Sequence, residues 1–321
     1  MLLINFYFYS TFAIFSVFVV LVFTEIMGSV LLLLNWNRYR NAVLPYIVPV
    51  WEVTGTFAAF WVVTSDFAYP ALLIPLASIF STALMTFLIV FVLRNATISF
   101  AEFFNKKGWM DSRKLFSGYA LSTLLIGLIA LVVLASVIEG NGINLSNLTF
   151  SLSDWSSSAS GILFMVGALV ILIGLAPIFY NDRDLKTASI LFVVLGVIIS
   201  NVSFVLFKDY SLSFLVAIPD VLTIALPLLF FWESTGRIIS NKIAFIFLAS
   251  VDIFSMSFMV YPTALGGKLN VDSITNSGPL AFSYDVITLV GTIILALLII
   301  LYATAVKRKG TASYIEQAHD S

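Results

Sequence analysis

Four acidic residues stand where an acid is expensive: Glu25, Glu52, Asp220 and Asp252, each inside a long apolar run. Glu25 lies about nine residues from the end of its run at Leu34, and Glu52 about nine residues into the next. At 1.5 Å per helical residue each sits roughly 14 Å deep, near the middle of a bilayer. Asp220 and Asp252 come out at similar depths. An isolated charge at bilayer centre costs at least ~3 kcal/mol on insertion scales. No Lys or Arg falls inside the same runs, so the cheaper state is the protonated acid. A carboxyl poised towards neutrality can load and release a proton, which is the chemistry these residues offer. Their bland alternative is a neutral carboxyl hydrogen-bonded to Ser, Thr, Trp or a backbone carbonyl, holding helices together. Asp220 follows Pro219, and Asp252 sits among Ser250, Ser255 and Ser257, so for these two the bland reading is preferred. The short connection after Leu34 makes the first two helices antiparallel neighbours. Glu25 and Glu52 then share a depth and could share a hydrogen-bonded path.

The elements that must carry these acids are membrane helices. Of 321 residues, 60% are hydrophobic and 10% charged, against about 25% charged in soluble domains. Sixteen Lys and Arg against seventeen Asp and Glu leave no basic surplus for nucleic acid. There is no Cys, and the one His is His319, so a haem or zinc inside the chain would lack its commonest ligands. The first charge is Glu25, and the uncharged opening stretch reads as a retained first span.

Runs without charge cover 67–93, 115–138, 155–181, 187–207 and 286–306. Allowing one acid in each adds 6–34, 43–64, 211–232 and 242–262, and the fold class is then an all-α bundle of nine transmembrane helices in one domain, 1–321. Arg38, Arg40, Arg94, Lys106, Lys107, Arg113, Lys114, Arg183, Lys186, Arg237, Lys242, Lys307, Arg308 and Lys309 fall on one side, with only Lys208 and Lys268 on the other. The positive-inside rule puts the N-terminus outside and the C-terminus inside. Two long outer loops follow, about 139–158 and 263–283. The first carries glycosylation-type triplets at Asn144 and Asn147.

Between Ile47 and Glu102 the chain reads Pro49-Val-Trp51-Glu52, then Phe57-Ala-Ala-Phe60, then Arg94 before Phe100. Near the C-terminus come Tyr261-Pro262, Ser273-Ile-Thr-Asn276-Ser and a last span ending in Tyr302, with Ala217-Ile-Pro219 and Ala225-Leu-Pro227-Leu between. In order and spacing these segments resemble subunit II of the cytochrome bd-type quinol oxidases, terminal oxidases of the respiratory chain. The family has a Pro-x-Trp-Asp-Gly-Asn motif in its second helix, a Phe-Ala-Ala segment after it and an Arg ending its third helix. The resemblance implies nine spans in a prokaryotic cell membrane and a heterodimer with a haem-bearing subunit I, with small accessory subunits also possible partners besides lipid. It implies haems b and d-type in that partner, quinol as electron donor and no cofactor in this chain. It also implies a proton path from the inner side. Glu52 and Trp51 stand at the family's Trp-Asp position, Glu25 at a helix-1 Asp, and Arg94 at the path's inner mouth. The chain departs from the family at Ser29, where a second helix-1 Asp is usual, at Val53-Thr54-Gly55-Thr56-Phe57 and at Ser99. A proton- or cation-coupled secondary transporter is the alternative, since midplane acids and Gly- or Pro-interrupted helices suit it too.

Overall fold

In this computed structural model the described residues are 2–105, 109–207, 214–232, 241–261, 263–273, 282–298 and 300–301. Pro262, residues 274–277, Tyr302, His319, Lys106, Lys107, Lys208, Arg237 and Lys307–Lys309 lie outside them. With no water in hydrocarbon to satisfy the backbone, a chain this apolar folds as helices. Among the described residues six are long and apolar enough to cross a membrane. These are α1 (Leu2–Leu34), α2 (Trp36–Ala68), α4 (Ser81–Ser99, prolonged by a π-helical turn, Phe100–Phe104), α5 (Ser112–Glu139), α7 (Ala159–Phe179) and α8 (Lys186–Leu206). Shorter helices complete the bundle: α3 (Pro70–Ile79), α6 (Leu152–Ser156), α9 (Phe214–Trp232), α10 (Lys242–Ser255), α11 (Ser257–Val260) and α12 (Phe282–Leu298).

The third span differs from the sequence expectation of 67–93. Helix α2 runs unbroken past Asp66 to Ala68, the short α3 follows from Pro70, and the crossing helix covers Ser81–Phe104. Arg94 therefore lies inside a span instead of closing one. A charge ends a hydrophobic run in a sequence, but it ends a membrane helix only if the charge stays unpaired.

Local signals set the turns. Asn35 caps α2 by accepting a bond from the Arg38 N–H at 3.1 Å, making a one-residue turn from α1. Ser158 likewise caps α7, and Asn241 caps α10. Pro45 and Pro49 stand one turn apart in α2, so Pro49 has no N–H to offer the Pro45 carbonyl and the ladder is weakened just before Glu52.

Helix α1 is the axis of the core, packed against α2, α5, α7 and α10. Its Leu21, Ile26, Met27 and Leu31 are buried with Tyr46, Ile47, Val50, Tyr119 and Phe179. Polar contacts gather at both ends of the bundle. At one end the Arg38 guanidinium donates to Asp182 and Asp184, both at 2.7 Å, and the Tyr39 hydroxyl to Asp182 at 2.7 Å. At that end too, Lys242 Nζ donates to the Phe179 carbonyl at 3.2 Å and lies over the Tyr46, Phe179 and Tyr180 rings at 4.8, 4.2 and 4.6 Å.

At the other end two small hairpins meet: Ile143–Asn144 pairs antiparallel with Thr149–Phe150, and Thr263–Ala264 with Leu269–Asn270. The second docks on the end of α5. The Leu265 and Gly266 N–H groups donate to the Val137 and Ile138 carbonyls at 2.8 and 3.0 Å, and Lys268 Nζ to the Gly140 carbonyl at 3.0 Å. Gly140 ends α5 in the left-handed region (φ 72°), and a Cβ there would collide with the Leu265 carbonyl. Gly140→Val is expected to detach this hairpin, lowering stability by about 2 kcal/mol or more. Faster proteolysis within 263–273 checks it, and an unchanged cleavage rate contradicts it.

Candidate functional site

The acid on α1 is the centre of a buried polar cluster built by four helices. Glu25 is fully buried, and its Oε1 accepts a bond from the Thr54 hydroxyl of α2 at 2.5 Å. Its Oε2 accepts from the Arg94 guanidinium of α4 and from the Tyr119 hydroxyl of α5. Arg94 is itself buried, and its remaining donors are used as well. Nε reaches Thr123 Oγ1 at 3.2 Å and Nη1 reaches Asn95 Oδ1 at 3.2 Å. The guanidinium also lies over the Tyr119 ring at 5.1 Å and the Phe91 ring at 5.7 Å. Arg suits such a place because its planar fork spreads several bonds over fixed directions.

This overturns the expectation that no base accompanies the intramembrane acids. Glu25 and Arg94 form an ion pair, and among the described residues the other two link Arg38 with Asp182 and Asp184. A desolvated pair costs much to assemble and more to break, since removal of one partner strands the other. The cluster thus fixes charge and direction at the centre of the bundle, with a phenol and a threonine hydroxyl as its immediate hydrogen-bonded neighbours.

The structure separates the two glutamates that the sequence places at one depth. Successive helical residues turn by about 100°. Val50, Thr54 and Phe57 share the buried face of α2, so Glu52 points away from them, and its side chain is exposed on the outside of the bundle. Glu25 and Glu52 therefore share no hydrogen bond. Trp51 is half-buried against the core beside the exposed carboxyl. Ser29 is fully buried one turn beyond Glu25 on α1, and its hydroxyl has no partner.

The remaining acids lie on the other side of the bundle. Asp220 on α9 is half-buried, and its Oδ2 accepts from Asn201 Nδ2 of α8 at 2.9 Å. Asp252 on α10 is buried, and its Oδ2 accepts from the Thr223 hydroxyl of α9 at 2.5 Å. Among the described residues no three His, Cys, Asp or Glu side chains are grouped to hold a metal ion.

Thr54, Tyr119 and Thr123 were not singled out by the sequence reading. The signal for Thr54 was its helical phase relative to Glu52. Tyr119 and Thr123 lie one turn apart in a charge-free run, a weak sign of a polar partner on another helix.

No family model matches the chain, and no curated protein matches its sequence. In three dimensions it is similar to a chain in the solved structure of bd oxidase from Geobacillus thermodenitrificans, with a TM-score of 0.68 and 17% identity. The match covers 94% of this chain and 97% of that one. The two chains share a fold. The likeness runs over nearly the full length of both, and the six long apolar helices among the described residues make this chain a multi-pass membrane protein.

Proposed function

We propose that the chain is the non-haem subunit II of a bd-type quinol:oxygen oxidoreductase in a prokaryotic cell membrane. It buttresses a haem-bearing subunit I and brings protons from the inner side for the reduction of oxygen to water. In this reading nine spans run from an outer N-terminus to an inner C-terminus. Haems b and d-type belong to the partner, quinol supplies electrons there, and this chain holds no cofactor.

The full-length fold likeness carries the reading. The exposed position of Glu52 supports it, because a carboxyl at mid-span is costly against lipid and is tolerated against a protein surface or a water-filled path. Glu52 then faces the partner and hands on the proton, while Trp51 limits access of bulk water to it. Glu25 with Arg94 stands behind as a fixed ion pair on the inner side of that path. Tyr119, Thr54 and Ser29 extend its polar surroundings.

Glu52→Gln in the intact complex tests the relay. Quinol-driven oxygen consumption is expected to fall at least about tenfold, with the haem spectrum unchanged. A wild-type rate would reject the role of Glu52.

A further inference from the structure

Asp252 is an acid buried within a span that no cation compensates among the described residues; Glu139, equally buried at the end of α5, is held by the Asn141 and Ser160 side chains. Asp252 is 6% exposed, its Oδ2 is bonded to Thr223, and its Oδ1 is buried with no hydrogen-bond partner. Glu25, at a comparable depth, receives a threonine hydroxyl in the same way, but it also has Arg94. The second acid near Asp252 adds to the imbalance. Asp220 lies three residues before Thr223 on α9, and residues so spaced share a helix face. Thr223 bonds Asp252, so Asp220 shares the α9 face that meets Asp252.

Among the described residues the charges on the elements packed against α10 can be named, and α7, which meets it where the Phe179 ring lies 5.0 Å from that of Phe245, carries none. Helix α1 carries Glu25, already paired with Arg94. Helix α9 carries Asp220, and α11 carries none. Within α10 the base is Lys242, ten residues from Asp252 and so about 15 Å along the axis, held by three aromatic rings and the Phe179 carbonyl. Tyr9 of α1 also comes close, its ring 6.2 Å from that of Phe254. None of these groups brings a positive charge to Asp252.

A carboxylate left so would bear the full cost of an unpaired buried ion, and the smallest ligand that removes the cost is a proton. We propose that Asp252, with Asp220 beside it, is a proton-binding site separate from the Glu25 cluster. Asp252 Oδ1 takes a proton from a hydronium ion: one hydronium O–H bond breaks, leaving water, as the carboxyl O–H bond forms and the group becomes neutral. On release the proton returns to water by way of Asp220, and the carboxylate keeps its Thr223 bond. Ser255, buried one turn on along α10, is the neighbouring hydroxyl, donating to the Asp252 backbone carbonyl at 2.6 Å. The site is built from residues of this chain and does not rest on the proposed function.

The test is a pH titration followed by infrared spectroscopy, on the full chain with whatever purifies beside it, in lipid nanodiscs. The wild type is expected to show a protonated-carboxyl C=O band that shifts in D2O. The band is lost in Asp252→Asn and kept in Glu25→Gln, and Asp220→Asn moves the pH at which it disappears. Asparagine fits the same space and can still accept from Thr223. Should Asp252→Asn fail to fold, the Asp220→Asn titration decides. A band that persists in Asp252→Asn, or that Asp220→Asn leaves unmoved, overturns the proposal. So does a band that sodium chloride removes at constant pH, which would make the ligand a metal cation.

Discussion

Arg94→Met is expected to destabilise the chain by about 3–5 kcal/mol, because it leaves the Glu25 carboxylate buried at the centre of four helices with its strongest partner gone. Thr54 and Tyr119 still donate to that carboxylate, but neither carries charge. Glu25→Gln should also cost stability, since it strands the guanidinium with only neutral acceptors such as Thr123 and Asn95. The informative variant is the double replacement Glu25→Leu with Arg94→Met. Removing both charges together and filling their space should recover most of the loss, since a desolvated pair gains little over apolar side chains of similar volume. Thermal unfolding of the detergent-solubilised protein reads the cycle. If Arg94→Met melts with the wild type, the buried ion pair is not part of the folded chain.

The second large effect concerns the hairpin of α7 and α8. These helices approach so closely that a Cβ on Gly196 would lie 2.8 Å from both the Gly167 carbonyl oxygen and the Ile171 backbone nitrogen. A Cβ on Gly174 would lie 2.8 Å from the Val193 backbone nitrogen. Small residues let helix backbones approach in a membrane, where no hydrophobic effect drives them together. Gly196→Leu is therefore expected to abolish folding, and Gly196→Ala to cost about 1–3 kcal/mol. The Ala result has a useful sign, since alanine is the better helix former by about 1 kcal/mol and would stabilise a helix that touched nothing. Leu195→Ala, on the exposed side of α8, should leave the protein unaffected. Yield of monodisperse protein and its melting temperature check all three, and a stabilised Gly196→Ala would contradict the close packing.

The sequence made much of the frame legible for a physical reason. Hydrocarbon accepts only satisfied backbone, so long apolar runs become helices and their lengths can be read directly. The four acids were equally visible, because each interrupts such a run. The facing of those acids was harder to see. Depth follows from counting residues, but facing requires the helical phase, and the phase of Val50, Thr54 and Phe57 turns Glu52 outward. Arg94 was misplaced by the same rule that found the spans: a lone Arg in a one-dimensional reading looks like the end of a helix. Its partner is 69 residues away on another helix, and only packing in three dimensions shows that the charge is answered. Tyr119 was hidden for the related reason that a phenol in an apolar run costs little and attracts no notice. The break between α2 and α3 at Tyr69-Pro70 lay within a charge-free run, where composition alone drew no boundary.

The most direct test of the account is an absorption spectrum of the material purified through an affinity tag on this chain. Reduced-minus-oxidised bands of haem b together with a red-shifted d-type feature, carried by a second polypeptide in the same peak, are the predicted result. A colourless preparation containing this chain alone would contradict it, and would return the intramembrane acids to the service of a transporter.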